Sequence, residues 1–179
     1  MTLDELLISL EGLTDEEADE RGRREYSSVY LNRGKFGVMQ LFKGDEVVFH
    51  GDRYEHAFRT SPDRIRNHYS KTKVARDRIE RMRWIKAVIQ GEVPGTQCWA
   101  VTPASKRPGR DRLYVVLANK FVVWLMQRED GGWKFSTAYT ATAQDIKRYT
   151  QGGTLMWTVP EKDPAHERET TPEKEKPRD

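Results

Sequence analysis

Three runs of aromatic and β-branched residues, 112–118, 121–128 and 133–139, lie so close along the chain that only antiparallel neighbours can be joined this way. Asn119-Lys120 and Asp130-Gly131-Gly132 fill the gaps. A parallel crossover needs about a dozen residues or more, whereas an antiparallel hairpin needs only a tight turn. The spacing therefore predicts a three-stranded meander. Residues 97–102 read as a further strand of the same character, and 152–158 as an edge strand.

Upstream the period changes. Residues 35–43 and 46–50 read as a hairpin turning at Lys43-Gly44-Asp45. Ser61-Pro62-Asp63 combines a hydroxyl cap, a proline and a first-turn acid, which marks a helix start. Ile79, Met82, Ile85, Val88 and Ile89 recur at helical spacing and predict one helix over 77–90, ended by Gly91 and Pro94. Leu3, Leu6, Leu7 and Leu10 form a stripe that predicts a helix over 2–20, with the charged stretch 14–24 as a solvated helix or linker. Thr140 or Thr142 can cap a short helix through Tyr149. The fold class read from this pattern is α+β: helices packed on one face of an antiparallel sheet.

Charge divides the chain. Residues 1–20 hold eight acids and no Lys or Arg, and 160–179 hold seven acids and five bases. The span 21–159 then carries 26 basic against 13 acidic residues, although the whole chain is only +3. The expected organisation is an acidic N-terminal helix or arm (1–25), a basic α+β domain (26–159) and a charged tail (160–179). The tail has four of the eight prolines and no aromatic residue, a composition expected to stay disordered. The longest apolar runs are six residues, far short of the roughly 20 that span a bilayer. No secretory leader is visible, and the single cysteine, Cys98, can form no internal disulfide. A cytoplasmic protein is expected, with Cys98 a buried, inert thiol.

No phosphate-binding loop, dinucleotide fingerprint, HExxH or calcium loop is present, which points to chemistry without metal or cofactor. Eleven basic residues crowd into 53–86, Arg53, Arg81, Arg83 and Lys86 among them, interrupted by Tyr54, Phe58, Tyr69 and Trp84. Cations attract phosphates and aromatics stack on bases, so nucleic acid is the favoured partner; the alternative is a solvated helical face. Lys106 and Arg107, in the loop 103–111, and Lys134 extend the basic set. His56 is the first candidate for chemistry, because imidazole titrates near neutral pH and can take a proton from a ribose 2′-hydroxyl; as a lone histidine it also fits a structural hydrogen bond. Strand alternation puts Phe135, Thr137 and Tyr139 on one face and Lys134 and Ser136 on the other. Thr137 and Tyr139 then either contact a phosphate or merely finish a half-buried strand. Arg112 either offers its guanidinium to a pentavalent phosphate or is a strand-end charge.

His56 and Arg59 before Ser61-Pro62-Asp63, then 78–85, then Arg112-Leu113-Tyr114-Val115-Val116, 121–125 and Trp133 to Tyr139 form an ordered series. In that order they resemble the barnase–EndoU–colicin–RelE-like nuclease superfamily, in its phage- and mobile-element-associated branch. The resemblance covers about residues 50–150. It implies N-terminal helices on a mostly antiparallel four-stranded sheet, to which the hairpin at 35–50 is an addition. It also implies a toxin-like, metal-independent endoribonuclease that leaves a 2′,3′-cyclic phosphate. His56 is then the general base or acid, Arg59 and Arg112 stabilise the phosphate and transition state, and Thr137 and Tyr139 contact phosphate. An immunity or antitoxin protein is an implied partner. The alternatives are a catalytically inactive nucleic-acid-binding module and an adaptor or structural protein.

Overall fold

The computed structural model describes residues 2–61, 72–101 and 113–161. Among these residues the fold is mixed α+β, with five α-helices and one large sheet. The meander appears as β6 (Leu113–Ala118), β7 (Phe121–Gln127) and β8 (Trp133–Thr140). Asn119 and Lys120 both take positive φ, 43° and 66°, the geometry of a two-residue hairpin turn whose twist matches its strands. The upstream hairpin is β1 (Phe36–Gln40) and β2 (Glu46–His50), with Gly44 at φ 95° in its turn. β5 (Gln97–Val101) and the edge strand β9 (Gly153–Thr158) complete the sheet, while β3 (Arg59–Thr60) and β4 (Lys73–Val74) form a separate two-residue ladder.

The main sheet has seven strands in the order β1-β2-β8-β7-β6-β5-β9, not the four expected. The added hairpin is part of this sheet. It joins through the one parallel contact, Val47 with Trp133 and Val48 with Lys134, and β9 extends the other edge.

The leucine-striped segment departs from expectation. Only Asp4–Leu6 forms a helical turn, of 3-10 type, and the helix proper, α1 (Asp15–Tyr30), begins later. Gly12 at φ 74° breaks the N-terminal run, and a reciprocal Thr14–Glu17 capping box starts the helix at Asp15. The preceding chain is tied down instead: Ile8 N donates to the Glu80 carbonyl, and Arg76 donates to the carbonyls of Leu10 and Leu13. Of the two alternatives for 14–24, a solvated helix or a linker, the helix is found: the stretch is mostly exposed, but it buries Ala18, Asp19 and Gly22.

The helix predicted over 77–90 is two short ones, α3 (Arg76–Glu80) and α4 (Trp84–Ile89). The cause is Tyr30. Its hydroxyl donates to the Met82 carbonyl at 2.6 Å and accepts from Lys86 N at 3.3 Å, so it stands between an N–H and the carbonyl four residues earlier that a continuous helix would pair directly. Tyr30→Phe is expected to cost about 1–2 kcal/mol, because the Lys86 amide loses its bond to the hydroxyl and the Met82 carbonyl keeps only its bond from Ile85 N; chemical denaturation at neutral pH checks it.

The main core lies between the first four helices and one sheet face. α1 contributes Tyr26 and Tyr30, β2 Phe49, β8 Phe135, and α2 (Arg53–Phe58) Phe58, all within ring-contact distance of a common cluster. Full burial of side chains this size contributes roughly 1.5–3 kcal/mol each. A second, smaller core forms on the opposite face, where α5 (Ala143–Gly152) lays Tyr149 against Val115, Val122 and Ala141. Thr142, with Asp145, caps that helix.

A bulge in β8 sorts the strand between these two cores. Trp124 pairs with Thr137 and Leu125 with Phe135, which leaves Ser136 as an extra residue. Phe135 and Ala138 therefore face the main core, while Tyr139 joins the α5 side. The simple alternation that placed Phe135 and Tyr139 on one face is overturned by this one inserted residue.

Candidate functional site

β2 accompanies β8 only through Lys134. Among the described residues, no strand follows 136–140 on that side, and α2 packs there instead. Tyr54, Ala57 and Phe58 are the buried residues of α2, which turns Glu55 and His56 outward. Arg78, on α3, links the two elements. It donates to the Ala57 carbonyl at 2.9 Å, and its guanidinium carbon lies 5.5 Å from the centre of the Tyr139 ring. One cation thus holds the residue next to His56 in the chain and also covers the tyrosine on β8.

Tyr139 is itself well fixed. Its hydroxyl accepts from Trp124 Nε1 at 3.1 Å and shares a 2.8 Å hydrogen bond with the Tyr149 hydroxyl. Arg148 reaches the Tyr149 hydroxyl at 3.4 Å and pairs with Asp145 at 3.1 Å. Burial, and then the Tyr149 contact, push the Tyr139 phenol up to about 12. At neutral pH it is a proton-bearing hydroxyl, suited to hydrogen bonding and not to taking a proton. Thr137, also half-buried, precedes it by two positions on the same face.

The other sequence candidates lie elsewhere. Arg59 sits in β3 with its guanidinium on Asp19, Nη2 to carboxylate at 2.7 Å. Arg83 is paired with Glu25 at 2.5 Å, Arg81 donates to the Asp77 carbonyl and lies over the Trp84 ring, and Arg53 is 3.9 Å from Asp52. Much of the basic cluster therefore works inside the fold, and Arg76 beside Asp15 does the same. Lys86 is exposed on α4. Lys134 lies further back on β8, in an open groove with Phe36, Val38 and His50. Lys106, Arg107 and Arg112, with the loop that carries the first two, lie outside the described residues, as do the helix start at 62–63 and all but two residues of the tail.

Sequence reasoning missed Trp124, Tyr149 and the linking role of Arg78. Tyr149 had a readable place, one helix away from Tyr139, but nothing in the chain signals that their hydroxyls meet. Cys98 is buried in β5, and burial pushes its thiol up, away from the reactive thiolate. Among the described residues no three His, Cys, Asp or Glu side chains gather as a metal site, and no helix is long and apolar enough to cross a membrane. Comparison with protein-family models, with curated proteins and with solved structures finds no match to this chain.

Proposed function

We propose that the protein is a metal-independent endoribonuclease, toxin-like in its chemistry, with its site along the open half of β8. The observation that supports it is the Arg78 bridge, which joins the helix bearing His56 to the strand bearing Thr137 and Tyr139. In this reading His56 takes the proton from a ribose 2′-hydroxyl. The oxygen attacks phosphorus in line, the P–O5′ bond breaks, the 5′-oxygen takes a proton from water, and a 2′,3′-cyclic phosphate remains. Arg78 supplies the positive charge that meets the developing negative charge on the phosphoryl oxygens, and Arg59 is paired with Asp19. Thr137 and Tyr139 donate hydrogen bonds to phosphate.

The test is incubation with a mixed RNA pool in EDTA. Wild type is expected to cleave and leave cyclic-phosphate ends. His56→Ala is expected to lower the rate by roughly 10²–10⁴, and Arg78→Ala by roughly 10²–10³. Full activity in His56→Ala removes the assignment of the base.

A second reading, a nucleic-acid-binding module without catalysis, is favoured by one observation: the Tyr139 hydroxyl already has two partners within the fold. It requires RNA retention that weakens steeply with salt, and no cleavage.

A further inference from the structure

We infer that the edge of the sheet at β1, which no strand among the described residues covers, pairs with the same edge of a second copy of this chain. The edge is built for pairing. Gly51 N donates to the Lys35 carbonyl and Leu41 N to the Asp45 carbonyl, which fixes the odd-numbered residues of β1 as the ones bonded to β2. By the alternation of an antiparallel ladder, the N–H and C=O groups of Phe36, Val38 and Gln40 point away from β2, out of the sheet. The same residues carry their side chains on the face opposite the main core, where Phe36 is 61% and Val38 50% exposed. Val48 and His50 lie beside them, with the Phe36 and His50 rings 6.4 Å apart. An edge with apolar side chains and unpaired backbone groups is a template for another strand.

A second copy fits this edge better than a polyanion does. The adjoining groove holds Glu46, Glu129 and Asp130 against Arg128 and Lys134, so phosphates gain nothing there. Charge is also graded along the strand. Arg33 and Lys35 lead into the Phe36 end, and Glu46 pairs with Gln40 at the other. Because β2 runs parallel to β8, the β7–β8 turn with Glu129 and Asp130 lies at that same Gln40 end, where Lys43 and the Asp130-paired Arg128 only partly offset the acids. Antiparallel pairing centred on Val38 sets the basic end of each copy against the acidic end of the other. Val38 then exchanges both hydrogen bonds with its twin, Phe36 with Gln40 of the second copy, and the apolar stripe runs unbroken across the two-fold axis. Such an isologous contact satisfies the edge and closes on itself.

Sedimentation velocity across a concentration series tests this. Wild type is expected to pass from the mass of one chain to twice that. Val38→Pro is expected to stay monomeric while melting like wild type, since the lost N–H faces away from β2. Phe36→Glu, on an exposed side chain, is expected to weaken association by about tenfold or more. Leu155→Glu, on the opposite edge strand β9, is expected to leave it unchanged. A chain that remains monomeric throughout overturns the inference. So does a dimer indifferent to both β1 variants, or one broken by Leu155→Glu alone.

Discussion

Gly37→Ala is expected to lower the melting temperature by about 6–12 °C, among the largest effects open to a single added methyl group in this protein. A Cβ at Gly37 would stand 2.0 Å from the Tyr30 carbonyl oxygen and 3.0 Å from its carbonyl carbon. Both atoms are backbone at the last residue of α1, and no rotamer change moves them out of the way. The helix end must leave the strand. Tyr30 cannot follow easily, because its ring stacks on Phe49 at 4.7 Å and its hydroxyl is bonded to Met82, in the break between α3 and α4, and to Lys86 of α4. Overpacking typically costs 1–3 kcal/mol, and a backbone clash against a residue held on two sides belongs at about 3 kcal/mol or above. Gly44→Ala separates this from the conformational cost of losing a glycine. Gly44 has φ 95° and nothing within 4 Å of a Cβ, so only backbone strain, about 1 kcal/mol, is expected there. Thermal melts followed by circular dichroism decide the matter; equal losses for the two variants would show that the α1–β1 contact is looser than its geometry.

The parts of the fold that were legible in the sequence are those decided locally. The meander follows from Asn119-Lys120 and the glycine turn after it, and α5 from a threonine, 140 or 142, able to cap it. What was not legible depends on partners far away in the chain. The break between α3 and α4 is made by the hydroxyl of Tyr30, more than 50 residues upstream, and no pattern of apolar residues records it. The sheet grows to seven strands because Val47 and Val48 meet Trp133 and Lys134, a contact that no turn announces. Ser136 looks like any polar strand residue, yet as a bulge it reverses the face on which Tyr139 sits. The candidate site has the same character. His56, Thr137 and Tyr139 stood out as residue types, whereas Arg78 was one of eleven basic residues until its carbonyl and ring contacts were seen. The acidic head was equally opaque: eight acids read as one block, but Asp15 meets Arg76, and Asp19 meets both Arg23 and Arg59.

Asp19 is the most consequential of these acids. Its side-chain oxygens accept from Arg59 at 2.7 Å, Arg23 at 3.0 Å and the Tyr54 hydroxyl at 3.2 Å, and its side chain is only 9% exposed. Asp19→Ala leaves two guanidinium groups facing each other without their shared anion. A sealed pair broken in this way costs 3–5 kcal/mol, but Arg23 and Arg59 are 41% and 26% exposed, so water recovers part of it and about 2 kcal/mol is expected. Burial by itself would raise the Asp19 carboxyl; the hydrogen bonds from Arg59 and Arg23 outweigh it and hold the group below its ordinary value. A carboxyl depressed in the folded state contributes stability that is complete above its unfolded pKa of about 3.9 and is lost as pH falls through the lower folded value. The stability gap between wild type and Asp19→Asn is therefore expected to be full at pH 7 and to close as pH drops below about 4; a gap that persists in acid sinks the assignment. The same pair tests Arg59. If its guanidinium serves Asp19, then Arg59→Ala and Asp19→Ala lower stability by similar amounts, the double variant costs clearly less than their sum, and the proposed RNA cleavage, measured per folded molecule, is unchanged. Loss of cleavage in Arg59→Ala at undiminished stability would return that arginine to the substrate.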